Sequence, residues 1–99
     1  MVIFKNLSNT IKILFITTNQ FKVKITIDPR RTMEELIKRY FEKINRPELF
    51  GDRTINFLFS GSLIPQDSQN SISEYIGEQK EITILISDTE DQITENMFI

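Results

Sequence analysis

Apolar and polar residues alternate with a period of two in two early runs of the chain. In "IKILFITT", Ile11, Ile13 and Phe15 share one face. In "FKVKITID", Phe21, Val23, Ile25 and Ile27 do the same, with Lys22, Lys24 and Thr26 opposite. Alternation rich in β-branched residues predicts half-buried strands. Asn19-Gln20 between them predicts a hairpin turn, in which Asn19 can tolerate positive φ. Pro29 stops the ladder, and the period changes. Met33, Leu36, Ile37, Tyr40, Phe41 and Ile44 recur at steps of three and four, which predicts an amphipathic helix over 32–44. Thr32 with Glu35 three residues on is a capping-box pattern, and Arg46-Pro47 ends the helix. A loop, "RPELFGDRT", leads to a third strand, "INFLF", and a turn at Ser60-Gly61. The polar stretch "PQDSQNS" then precedes "ISEYI" and a last strand, "EITILI".

A single helix must bury its stripe against one face of the sheet, which predicts an α+β domain of two layers. The last strand is expected to return beside the first. Phe15, Phe57, Phe59, Ile84 and Ile86 fall in phase with the core. Ile16, Leu58 and Leu85 fall out of phase and should point outward, as should Leu14. An aliphatic cluster exposed on a sheet marks an interaction site. Leu49 and Phe50 are expected to plug the base of the core, and Tyr75 to pack while hydrogen-bonding a loop backbone.

Composition narrows the chemistry. The 99 residues suffice for one domain with one modest core. There is no cysteine, which excludes disulfides and thiol catalysis, and no histidine, the commonest general base and metal ligand. No pair of carboxylates stands out, so the chain is not expected to be an enzyme or to need a metal or cofactor. No run approaches about 18 apolar residues, and the opening lacks the pattern of a signal peptide, so a cytoplasmic or nuclear location without membrane insertion is expected. Residues 1–86 carry all twelve Lys and Arg against ten acids, a balance of +2. The last thirteen carry Asp88, Glu90, Asp91 and Glu95 and no base. The body is too weakly basic to predict nucleic-acid binding. Lys22, Lys24, Arg30, Arg31, Lys38 and Arg39 are read as solvated surface.

The run from Ile11 through "IKILFITTNQFKVKITIDPRRTMEELIKRY", with its Asp-Pro-x-x-Thr approach to the helix, resembles ubiquitin and the ubiquitin-like β-grasp domains. The likeness resumes at "FLFSGSLI", similar to that family's Phe-x-Gly turn, and continues through "SISEYIGEQKEITILI". It implies a ubiquitin-like β-grasp, a mixed sheet of four to five strands with one main helix packed on one face. The segments are then 1–10, an N-terminal extension or added edge strand; 11–87, the ubiquitin-like domain; and 88–99, an acidic tail whose polarity predicts disorder.

The same resemblance places the family's apolar recognition patch on Leu58 and Leu85, flanked by Ile16, Thr18, Gly61 and Thr83. Partners would be proteins carrying helices or modules of the ubiquitin-binding type, docking on a monomer. Conjugated relatives end in an Arg-containing tail and Gly-Gly. Here Ser87, Asp88, Thr89 and Glu90 occupy that stretch and no Gly-Gly occurs. Of the positions of ubiquitin's chain-building lysines, only Lys43 is a lysine. The leading expectation is therefore a non-enzymatic interaction domain. The alternative is a covalent modifier released from, or ligated by, a self-splicing intein-like precursor. It would involve a processing or conjugation enzyme, with Ile99 as the reactive end.

Overall fold

The computed structural model describes residues 9–93. Most of the expected N-terminal extension, and the apolar tip Met97-Phe98-Ile99 with its proposed reactive end, lie outside the described residues. The strands are β1 (Ile11–Thr17), β2 (Lys22–Ile27), β3 (Ile55–Phe59), β4 (Ser62–Ile64) and β5 (Glu81–Asp88), and the helices are α1 (Met33–Lys43) and α2 (Ile72–Ile76). A 3-10 turn covers Pro47–Leu49. The strands form one mixed sheet in the order β2-β1-β5-β3-β4. The last strand does lie beside the first, and that pair is parallel; the other neighbours are antiparallel.

The period-two runs become β1 and β2, joined by a tight hairpin. The Gln20 N–H donates to the Thr17 carbonyl at 2.9 Å, closing a turn over 17–20. Positive φ falls on Gln20 (71°), not on Asn19. In a three-residue hairpin loop the left-handed residue follows the turn, and Asn19 instead uses its Oδ1 to accept from the Thr17 hydroxyl. At the other hairpin, Ser60 (51°) and Gly61 (81°) both take positive φ, the signature of a two-residue type I′ turn.

Helix α1 starts at Thr32, whose Oγ1 accepts from the Glu35 N–H at 3.1 Å. Only that half of the capping box follows the sequence pattern, because the Glu35 carboxylate is drawn to Arg39 (2.7 Å) and Arg31 (3.4 Å). The carbonyls of Asn70 and Ser68 accept from the N–H groups of Met33 and Glu34. The polar stretch before α2 thus satisfies donors that the first turn of any helix leaves open. The helix stops before Pro47 can act. Asn45 adopts φ 65°, with Asn45 N–H donating to Glu42 O and Arg46 N–H to Phe41 O, which is a Schellman motif.

Between the layers, Phe15, Tyr40, Phe41 and Phe57 pack ring against ring, with centroids 4.6 to 6.0 Å apart. Leu49 is buried, and Phe50 packs against the core from its edge. Phe59, expected inside, is only half-buried because β3 ends there. Tyr75 bonds the Ser68 hydroxyl at 2.6 Å rather than a loop backbone. Tyr40 Oη and Asp88 Oδ1 are buried without a partner among the described residues. Burial, and then the nearby Asp88 carboxylate, push the Tyr40 phenol well above its ordinary range.

Of the six bases read as surface, Lys22 and Lys24 lie on β2 and the other four are ion-paired. Arg30 pairs with Asp28 at 2.7 Å, Lys38 with Glu34 at 3.7 Å, and Arg31 and Arg39 with Glu35. The Arg30 hydrogen bonds hold the Asp28 carboxyl down at about 2.

The largest departure concerns the tail. It does not leave the domain at residue 88: β5 continues through Asp88, and Ile93 is fully buried in the core cluster. The Ile93 N–H donates to Asp88 Oδ2 at 2.6 Å. Gln92 Nε2 donates to Asp52 Oδ2 at 2.8 Å and to Thr54 Oγ1 at 3.1 Å. Bonds from Thr54 and then Gln92 lower the Asp52 pKa. The Thr89 N–H donates to the Thr54 carbonyl, and Asn19 Nδ2 donates to the Ile93 carbonyl at 3.5 Å. Average polarity predicted disorder, but the burial of Ile93 and these hydrogen bonds hold the segment to the domain as far as residue 93.

Candidate functional site

The face of the sheet turned away from α1 carries the candidate site. Strand register, more than sequence spacing, builds it. Ile16 of β1 stands opposite Leu85 of β5, Leu85 opposite Leu58 of β3, and Leu58 opposite Leu63 of β4. Directly opposed side chains on one face lie about 4.5–5.5 Å apart at Cβ. Four aliphatic residues therefore form one row across four strands. Leu85 and Leu63 are 53% and 61% exposed, and Ile16 and Leu58 are half-buried. The row ends at Lys22 of β2, which stands opposite Ile16.

The next row is more polar, with Lys24 opposite Leu14 and Leu14 opposite Thr83. Beyond it Lys12 stands opposite Glu81. An open hollow of about 310 Å³ lies here, between Leu14, Lys24, Thr83 and Phe59. The surface is thus aliphatic along one line and cationic toward the β2 edge. Among the described residues, no cluster of acids is placed to hold a metal ion, and no helix is long and apolar enough to cross a membrane.

Of the six residues expected to bind a partner, the structure brings Ile16, Leu58 and Leu85 into the row and places Thr83 beside it. Thr18 lies in the β1–β2 turn and Gly61 in the β3–β4 turn, both exposed. These turns sit at opposite ends of the sheet and flank the row without joining it. Leu63 was not anticipated, although it is the most exposed of the four. Its signal was present in the turn, since a two-residue hairpin loop at Ser60-Gly61 fixes Leu58 against Leu63.

No protein-family model matches the chain, and no curated protein sequence matches it. Solved structures do. A designed protein based on ubiquitin superposes with a TM-score of 0.61 at 18% identity, covering 88% of this chain and 98% of its own. The ubiquitin-like domain of an Arabidopsis thaliana protein gives 0.62 at 17% identity, covering 79% and 76%. The UBL domain of Plasmodium falciparum Dsk2 gives 0.61 at 19% identity, covering 81% and 99%. The fold is the ubiquitin-like β-grasp. At these identities the likeness establishes architecture, and function has to be argued from the face itself. Within the ubiquitin-like fold, the row lies on the side of the sheet that the main helix leaves uncovered.

Proposed function

We propose that this protein is a non-enzymatic ubiquitin-like binding module whose partners dock on the row Ile16–Leu85–Leu58–Leu63. One observation carries the proposal: four aliphatic side chains stand in register across four strands, on a face that no described element covers. Scattered apolar residues are ordinary on a protein surface, whereas a contiguous line is a docking feature. Its narrow width suits one amphipathic helix or a small module, with Lys22 and Lys24 favouring acidic residues at one border. Such a contact belongs among small interfaces, burying less than about 1,200 Å² and binding weakly.

Capture of partners from native cells tests this, using the wild-type chain and the variants Leu58→Ala and Leu85→Ala. Both variants are expected to lose the captured proteins while remaining folded. Unchanged capture by folded variants would remove the row from the function. An N-terminal tag and denaturing purification separate this reading from covalent modification. A single unmodified mass is expected. A ladder of heavier species, with peptides joining Ile99 to a lysine, would make the protein a modifier.

A further inference from the structure

Ile93 is held at the hairpin end of the sheet. Its carbonyl accepts from Asn19 in the β1–β2 turn. That turn is the end of the hairpin nearest Ile16 and Lys22, which pair directly. Ile93 itself is buried on the inner side, and its carbonyl is held at the turn, three residues along the chain from Ile16 at one end of the aliphatic row. Six residues follow, Thr94, Glu95, Asn96, Met97, Phe98 and Ile99. Extended chain covers at most about 3.3–3.6 Å per residue, so they reach about 20 Å. From Asn19 back to Ile16 is three residues, about 10 Å, and Leu85 lies one strand spacing of about 4.8 Å farther, so both fall within that reach. The order of chemistry along the segment also matches the order along the face. In the segment an acid precedes three apolar residues, and on the face Lys22 precedes Ile16 and Leu85 from the β2 edge inward.

We propose that residues 94–99 dock in cis on this row, with Glu95 beside Lys22 and Met97-Phe98-Ile99 over Ile16 and Leu85. These six residues thus occupy the partner-binding face until a partner displaces them. The inference rests on the proposed function for its consequence, but not for its geometry. A short tether holds the segment at an effective concentration on the order of millimolar. A contact too weak to form between separate molecules is then populated within one. A partner's apparent affinity is lowered by the fraction of molecules whose row is free, and removing residues 94–99 restores it.

The chain has no cysteine, so Asn96→Cys gives a single site for a nitroxide while leaving the apolar tip intact. In ¹⁵N-labelled protein carrying the nitroxide, the amides of Ile16, Leu85 and Leu58 are expected to lose most of their intensity, and those of the opposite layer, such as Glu34 and Lys38, to keep theirs. Phe98→Ser in the same labelled chain should restore the row's signals. Mixing unlabelled-nitrogen spin-labelled chains with ¹⁵N chains that lack the nitroxide should broaden nothing. No broadening on the row, or broadening that survives Phe98→Ser, would overturn the proposal. Equal broadening in the mixed sample would also overturn it, naming a second copy as the occupant. The readout needs no partner, so its failure is distinct from failure of the proposed function. That failure would appear as unchanged capture by Leu58→Ala.

Discussion

Phe57 and Leu58 are neighbours on β3, yet one is fully buried among aromatic rings and the other stands half-exposed in a row of aliphatics. The same contrast repeats on β5 between Ile84 and Leu85, and on β1 between Phe15 and Ile16. The two faces of this sheet differ less in hydrophobicity than in cover. The inner face meets α1 and holds the domain together. The outer face is nearly as apolar along one line and meets no described element. An apolar residue contributes to stability in proportion to the surface it removes from water, so equal side chains on the two faces should have unequal consequences when truncated.

Phe57→Ala should be the most damaging change. Removal of a buried phenylalanine should cost about 3–5 kcal/mol, measured by urea unfolding. A cost near that of an exposed site would erase the distinction between the faces. Ile93→Ala tests the end of the sheet. A fully buried isoleucine should cost about 2–5 kcal/mol, whereas a tail detached from the fold would cost nothing. On the outer face, Leu85→Ala should cost about 0.5 kcal/mol or less. Leu58→Ala, half-buried by its neighbours, should cost about 1 kcal/mol. Both should lose partner capture. If Leu58→Ala unfolds the domain, the outward assignment fails.

Acid pH gives a smaller effect of known sign. Asp28 and Asp52 are held below their ordinary pKa in the folded protein, chiefly by bonds from Arg30 and from Thr54 respectively. Groups depressed in the folded state stabilise it above the unfolded pKa near 3.9 and lose that contribution as protons bind. For Asp28 the loss should run from about pH 4 down to its folded value of about 2. Asp28→Asn should therefore unfold with a shallower dependence on pH across that window. The smallest change is Tyr40→Phe. Its hydroxyl has no partner among the described residues, so removal should be nearly neutral or slightly stabilising. A loss of about 1 kcal/mol or more would reveal a hydrogen bond there, such as a bridging water to Asp88.

Local pattern made most of the fold legible. Ile11 through Ile27 alternate because a strand has two faces, and Met33 through Ile44 recur at helical spacing because one side of α1 is buried. The outward phase of Ile16, Leu58 and Leu85 was legible for the same reason. Leu63 was harder to place, because a three-residue strand is too short to show a period. Gln66 was hidden as well. It looks like loop polarity, but its amide donates to the carbonyls of Asp52 and Ile55 and accepts from the Gly51 N–H, stitching two loops together. Ile93 was masked by its polar run, in which Glu90 and Asp91 stay exposed while it turns inward.

Alone, the sequence determined which residues form strands, where the helix begins, which side chains share a face, and which chemistries lack their side chains. Those properties depend on spacing along the chain and on side-chain type, and both are local. Only the tertiary structure decided that Ile16, Leu85, Leu58 and Leu63 form one line, that Gln92 reaches Asp52, and that the tail is held as far as Ile93 beside Asn19. Each is a meeting of residues far apart in sequence. Such meetings are fixed by strand register and by the shape left between packed layers, neither of which any single segment encodes.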